Sequence, residues 1–184
     1  GGIKYYKKKK IKNVIAYLRL IHNTKDNISL TRVINEPKRG VGKTSLDEIA
    51  KLSAEQGVSM YHIIKNAADY GLNRVFVNTR EFVEQIEYLI SKKDELKISE
   101  LIKETLNKTG YTKALENENT IEAETRIQNL EELLTVAIEF EEENAENGLA
   151  EFLEGITLSS DLDNMEETEE TVTLMTLHSA KGLE

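Results

Sequence analysis

Pro37-Lys38-Arg39-Gly40-Val41-Gly42-Lys43-Thr44-Ser45-Leu46-Asp47 packs two glycines, three cations and the start of a helix into eleven residues. Gly40 and Gly42 permit φ > 0 and present no Cβ to an approaching ligand. Thr44, with Asp47 three residues on, reads as a capping box in which Asp replaces the usual Glu, ahead of the apolar Leu46, Ile49 and Ala50. A Gly-x-Gly turn that feeds a helix N-terminus converges backbone N–H groups and the positive end of the helix dipole on one spot. With Lys38, Arg39 and Lys43 around it, that spot suits an anion, and phosphate is the first candidate.

Two phosphate grips share this chemistry. Gly42-Lys43-Thr44-Ser45 matches the end of a Walker A loop, G-x-x-x-x-G-K-[ST], but the first glycine would fall at position 37, which is proline. Upstream, Leu30, Val33 and Ile34 have helical spacing, where a P-loop needs a strand. The nucleotide-cradle reading is therefore rejected. Helix, Gly-hydrophobic-Gly, helix is instead the order of a helix-hairpin-helix, which holds a nucleic-acid backbone without reading its sequence. A plain helix-connecting turn has the same spacing.

Composition bounds the setting. A chain of 184 residues makes one or two domains with a substantial core. The absence of Cys excludes disulfides and thiolate chemistry and fits a reducing, cytoplasmic compartment. No apolar run reaches membrane-span length, so no membrane partner is expected. A start at Gly1-Gly2 without Met and a stop at Gly182-Leu183-Glu184 read as a piece of something longer. The net charge of −9 is unevenly spread: residues 1–44 carry twelve Lys/Arg against Asp26 and Glu36, and the other 140 carry twelve against 31 acids. Nucleic-acid binding is thus expected at one end only.

Outward from the hairpin, the signals are helical. Lys4, Lys7, Lys8, Lys9, Lys10 and Lys12, with Tyr5 and Tyr6 among them, could neutralise and stack a single strand, or form a solvated tail. Ile11, Val14, Ile15, Leu18 and Ile21 share one helical face, and residues 22–27 follow as a polar boundary. A short helix starts at Ser59 and ends near Gly71; Tyr70-Gly71-Leu72 has the look of a second, weaker hairpin but lacks its second glycine, and reads rather as an ordinary turn. Asn78 or Thr79 is expected to cap a helix with Phe82, Val83, Ile86, Leu89 and Ile90 inward. Ile98 to Leu106 form another, closed by Gly110 at C′. Thr120 opens a long helix with Ile127, Leu130, Leu134, Ala137 and Ile138 as its buried stripe. Leu149, Phe152, Leu153 and Ile156 make the last. A single proline agrees with a mainly α fold.

Residues 116–170 hold nineteen acids and one cation, Arg126, with a solvated Glu139–Glu146 helix end. Asp161-Leu162-Asp163-Asn164-Met165 fails as a calcium loop, since Glu166 and Val172 stand where Gly and Glu are needed. Asp163 to Thr171 reads as an acidic linker. Val172-Thr173-Leu174-Met175-Thr176-Leu177 then has the β-branched composition of a buried strand, and it delivers His178 to Glu184 at its C-terminal end as α/β folds do. The three histidines, 22, 62 and 178, lie far apart, and no metal-binding or nucleophile motif is present. His22 and His62 read as helix-end and helix-surface residues.

Val172 to Glu184 resembles motif V of the superfamily 1 UvrD/Rep/PcrA DNA helicases. Gly1 to Tyr6 and Ile11 to Ile21 resemble the segment around motif IVa. Ile34 to Lys43 resembles the duplex-gripping hairpin of the family's helical 2B subdomain, and Thr109-Gly110-Tyr111 and Arg126 to Leu133 resemble 2B helices. The resemblance implies residues 1–23 as a piece of the RecA-like 2A domain, 24–162 as the 2B subdomain, and 163–184 as linker and 2A strand. It implies a part of an ATP-dependent 3′–5′ DNA helicase of repair or replication, with DNA at Lys38, Arg39, Gly40, Val41, Gly42, Lys43, Thr44, Lys8 and His178. Lys181, Gly182 and Glu184 would lie near ATP, which the whole helicase uses with Mg²⁺, while no cofactor is expected in this piece alone. Lys8 and Lys10 depart from the family's usual Arg and Glu, so Lys8 meets phosphate without a bidentate fork. The Walker A loop, the acidic Mg²⁺ motif and the arginine finger are absent, so the chain by itself is expected not to turn over ATP. Repair or transcription proteins are further possible partners, and a non-enzymatic helical docking module is the competing reading. The polar crossings 23–27 and 161–171, the second kept extended by charge repulsion, suggest a helical body that rotates and so regulates unwinding.

Overall fold

The computed structural model describes residues 9–146 and 148–159, and among these there are helices and turns but no strand. The helices are α1 (Lys9–His22), α2 (Asn27–Val33), α3 (Lys43–Gln56), α4 (Met60–Lys65), α5 (Asn73–Lys92), α6 (Ile98–Lys108), α7 (Tyr111–Glu118), α8 (Ile121–Glu143) and α9 (149–159). A 3-10 turn, Ala67–Tyr70, joins α4 to α5. The strand expected at 172–177 and the acidic linker lie outside the described residues.

The core is assembled around α1. Ile11, Val14, Tyr17, Leu18, Leu20 and Ile21 are all buried, so this helix is covered on nearly every side. It packs against α2, α5, α6 and α8, while α8 also covers α6 and α7. Edge-on ring contacts tie distant elements together: Tyr17 to Tyr111 at 6.4 Å and Phe140 to Phe152 at 5.3 Å, the latter joining α8 to α9. All four apolar residues expected for α9 are buried.

The polar segment 22–27, expected as a boundary, forms the turn between α1 and α2, which pack against each other. Asp26 caps α2 by accepting from the Ser29 backbone N–H at 3.0 Å and its hydroxyl at 2.8 Å. The Asn27 side-chain oxygen accepts from Met60 N at 3.0 Å, which ties the turn to α4. Rotation of the body about residues 23–27 would have to break the α1–α2 interface. His22 and His62 are exposed, at a helix end and on a helix surface.

Several local expectations match the structure. Thr120 caps α8 by accepting from Ala123 N at 3.1 Å. Gly110 takes φ +74° just past the end of α6, and Gly71 the same φ in its turn. Others need correction. α5 begins at Asn73, so Asn78 and Thr79 lie inside it: Thr79 is fully buried and donates to Val75 O at 2.7 Å. On α8 the buried side chains are Ala123, Asn129, Leu130, Leu133 and Ala137, while Ile138 is 40% exposed. The packing partner of α8 changes along its length, from α7 and α6 to α9, so one straight stripe does not describe it.

Candidate nucleic-acid interface

The hairpin joins α2 to α3 through residues 34–42. Leu30, Val33 and Ile34 anchor one side in the core and Ile49 the other, and Val41, between the two glycines, plugs into the same core. The Glu36–Pro37 peptide is cis. Burying Val41 pushes its neighbours outward: Lys38, Gly40, Gly42, Lys43 and Thr44 are all exposed.

The two glycines do different work. Gly40 has φ +78°, a left-handed conformation, and a Cβ there would sit 3.1 Å from the Asn78 amide nitrogen. Gly42 has φ −75° and ψ 176°, and a Cβ there would meet nothing within 4 Å. Gly42 is the N-cap of α3, and no side chain caps this helix. The expected Thr44–Asp47 capping box is thus not made. Thr44 already lies in the first helical turn, one residue beyond Lys43, where its backbone is a donor to be capped rather than the cap. The consequence is chemical: the first-turn N–H groups of α3 open to solvent beside Lys43, with a bare glycine in front of them.

The cations part company as well. Arg39 turns inward. Its Nη1 donates to the carbonyls of Val33 and Ile34, each at 2.9 Å, which satisfies the C-terminal end of α2. Its Nη2 donates to the Tyr17 hydroxyl at 2.8 Å, and the guanidinium lies 4.6 Å from the centre of the Phe82 ring. Tyr17 in turn donates to Glu36 O at 2.5 Å. Burial pushes the Tyr17 phenol above its ordinary value, partly offset by Arg39, so it remains a neutral donor. Arg39, expected among the phosphate contacts, is here the strut that braces the hairpin from behind.

Two residues that were not among the expected site residues complete the frame. Asn35 pairs with Val41 through both ends of its amide, donating to Val41 O at 2.6 Å and accepting from Val41 N at 3.1 Å. Asn78, on α5, donates to Gly40 O at 3.2 Å. Asn in a turn is a signal for Asn35, whereas nothing local marks Asn78, which acts across 38 residues. Behind the hairpin, Lys38 and Lys108 border one hollow of about 250 Å³, so the second glycine turn, Thr109–Gly110, stands beside the first.

The remaining site residues divide by position. Lys8, His178, Lys181, Gly182 and Glu184 lie outside the described residues. Gly42-Lys43-Thr44 follows a helix and not a strand, which is not the setting of a nucleotide loop. Among the described residues there is no group of three His, Cys, Asp or Glu that could hold a metal, and no helix long and apolar enough to cross a membrane.

Comparison with known proteins bears on this geometry. Residues 1–184 match the model of the UvrD-like helicase C-terminal domain. The chain is 42% identical over 191 residues to the ATP-dependent DNA helicase PcrA of Bacillus subtilis (strain 168), covering 100% of this chain and 26% of that protein. It is 42% identical over 187 residues to the PcrA of Staphylococcus aureus (strain Mu50), and 41% identical over 187 residues to that of Staphylococcus epidermidis, again over 100% of this chain and 26% of each relative. The chain thus spans about a quarter of the length of these relatives, and the protein belongs to the UvrD-like helicase C-terminal domain family.

Proposed function

We propose that this chain is the duplex-gripping part of an ATP-dependent 3′–5′ DNA helicase, and that the 37–44 hairpin holds the phosphate backbone. The observation that carries the reading is the open N-terminus of α3: uncapped N–H groups behind a bare Gly42, flanked by the exposed Lys38, Lys43 and Thr44. A phosphate can approach Gly42 where a Cβ would stand, accept from the first-turn amides and the Thr44 hydroxyl, and meet the lysines as point charges. None of these contacts reads a base, so the grip is independent of sequence. Asn35, Asn78 and the Arg39–Tyr17 pair hold the turn rigid, which lowers the ordering cost of binding.

The helical body then corresponds to the 2B subdomain, and its grip on the duplex regulates unwinding by the whole helicase. Residues 1–23 and 163–184 are assigned to the RecA-like 2A domain and its linker, with α1 packed directly on the helical body. ATP and Mg²⁺ belong to the whole enzyme, in the cytoplasm, with Lys181, Gly182 and Glu184 assigned to the nucleotide and Lys8 and His178 to DNA. Repair or transcription proteins would join DNA as partners of that enzyme.

The test is a Lys38→Glu/Lys43→Glu variant titrated with a duplex–single-strand junction. Loss of two phosphate contacts should lower the slope of log K against log salt by about 1.8, at about 0.9 per contact. Affinity should fall equally for unrelated sequences, with helicity unchanged because both side chains are exposed. If the variant binds the junction as tightly as the parent at equal salt, the hairpin is not the grip.

A further inference from the structure

A second cationic feature shares no residue with the hairpin. Lys12 and Arg19 of α1 and Arg32 of α2 edge a groove of about 330 Å³, with Ile15 and Ala16 of α1 and Ile156 of α9 among its lining. Ile28, at the rim, is 85% exposed, the most exposed large apolar side chain among the described residues. The one acid in the lining, Asp26, is already engaged in capping α2 through Ser29. Arg19 donates to Thr157 Oγ1 at 2.9 Å and Arg32 Nε to Asn13 Oδ1 at 3.0 Å. None of the three cations has an acidic partner among the described residues.

Three cations without an acidic partner among the described residues, over an apolar floor, call for an occupant that is both acidic and apolar. A nucleic-acid strand would satisfy the charge but offers its phosphates nothing to set against Ile28 and Ile15. The chain itself contains a match. Residues 161–170 hold Asp161, Asp163, Glu166, Glu167, Glu169 and Glu170, no cation, and the apolar Leu162 and Met165. Thr157, already bonded to Arg19, precedes Asp161 by four residues, a reach of about 13 Å at about 3.3 Å per residue. A tether that short makes the local concentration of the segment high, so modest contacts suffice.

We propose that the groove seats residues 161–170 of the same chain, carboxylates on Lys12, Arg19 and Arg32 and an apolar residue, Leu162 or Met165, over Ile15 and Ile156. The acidic linker is then a strap fastened to the helical body, and its mutual repulsion is neutralised by the groove. This inference is independent of how the hairpin binds DNA.

Hydrogen exchange in the intact protein, read by mass spectrometry at the 161–167 amides, tests it. Lys12→Glu/Arg32→Glu should speed exchange there about tenfold and leave the α1 and α2 amides unchanged, since both side chains are exposed. An Asp161→Asn/Asp163→Asn/Glu166→Gln variant, which leaves the helical body untouched, should do the same, as should 0.5 M salt. Combining Lys12→Glu/Arg32→Glu with Asp161→Lys/Asp163→Lys should restore slow exchange. Equal exchange in parent and variants overturns the proposal. So does protection that rises with protein concentration, which would place a second copy in the groove. Loss of oligonucleotide binding in Lys12→Glu/Arg32→Glu without any change at 161–167 would assign the groove to nucleic acid and likewise overturn it.

Discussion

Replacing each hairpin glycine by alanine in turn should separate backbone need from ligand need. At Gly40 the φ of +78° carries a penalty of about 1–2 kcal/mol for an L side chain. The new Cβ would also stand 3.1 Å from the Asn78 amide nitrogen, the far end of a side chain that can move only by weakening its 3.2 Å bond to Gly40 O. That exposed bond contributes about 0.5 kcal/mol, at the low end of its class. Reduced freedom of the unfolded chain returns about 0.4–1 kcal/mol, which leaves a net loss of about 0.5–2 kcal/mol. At Gly42 the φ is ordinary and the space is open, so the weaker capping by Ala, about 0.5 kcal/mol, is offset by the same unfolded-state gain. Gly42→Ala should therefore match the parent in stability to within about 0.5 kcal/mol, while its methyl group intrudes where phosphate is proposed to approach. Urea denaturation followed by helical circular dichroism reads the first quantity and junction titration the second. A Gly42→Ala variant less stable than Gly40→Ala would refute the reasoning, because the two backbone conformations would then have been assigned the wrong way round.

Arg39→Lys keeps the charge but not the planar fork that reaches Val33, Ile34 and Tyr17 or the stacking on Phe82, so it should destabilise the chain by about 1–3 kcal/mol. Unchanged thermal stability with weakened DNA binding would return Arg39 to the DNA surface. Tyr17, Tyr61 and Tyr111 all have phenol pKa values raised, chiefly by burial, and at Tyr61 also by the nearby Glu87. The unfolded chain loses these protons first, near pH 10, so their contribution is complete below that pH and is lost as pH rises above it. The urea midpoint should accordingly fall between pH 9 and pH 11, and less steeply in Tyr61→Phe; a midpoint level across that range would contradict the burial of these rings.

Much of the helical architecture is written locally. Caps and stops act within four residues, so Thr120, Gly110 and the helix–turn–helix order around Val41 could be recognised from spacing alone. The apolar periods of α1, α6 and α9 are likewise local, and they place Ile11, Val14, Ile98, Leu101, Phe152 and Ile156 in the core. The hairpin was legible as a site for the same reason: two glycines, the cations and a helix start lie within a few residues. What the cations do was not. Charge and position in the sequence are the same kind of signal for Lys38 and Arg39, yet Lys38 faces solvent while Arg39 is drawn in by the free carbonyls of α2, by Tyr17 and by Phe82. The start of α5, five or six residues ahead of its expected cap at Asn78 or Thr79, follows from Val75 and Thr79 finding buried places in the assembled body. The turn at 23–26 is legible as a polar break, but not the packing of α1 on α2, α5, α6 and α8, elements that arrive up to about a hundred residues later. Periodicity reports which face of a helix is apolar; only the tertiary structure supplies the atoms that cover it, and with them the direction each polar side chain must take to find a partner.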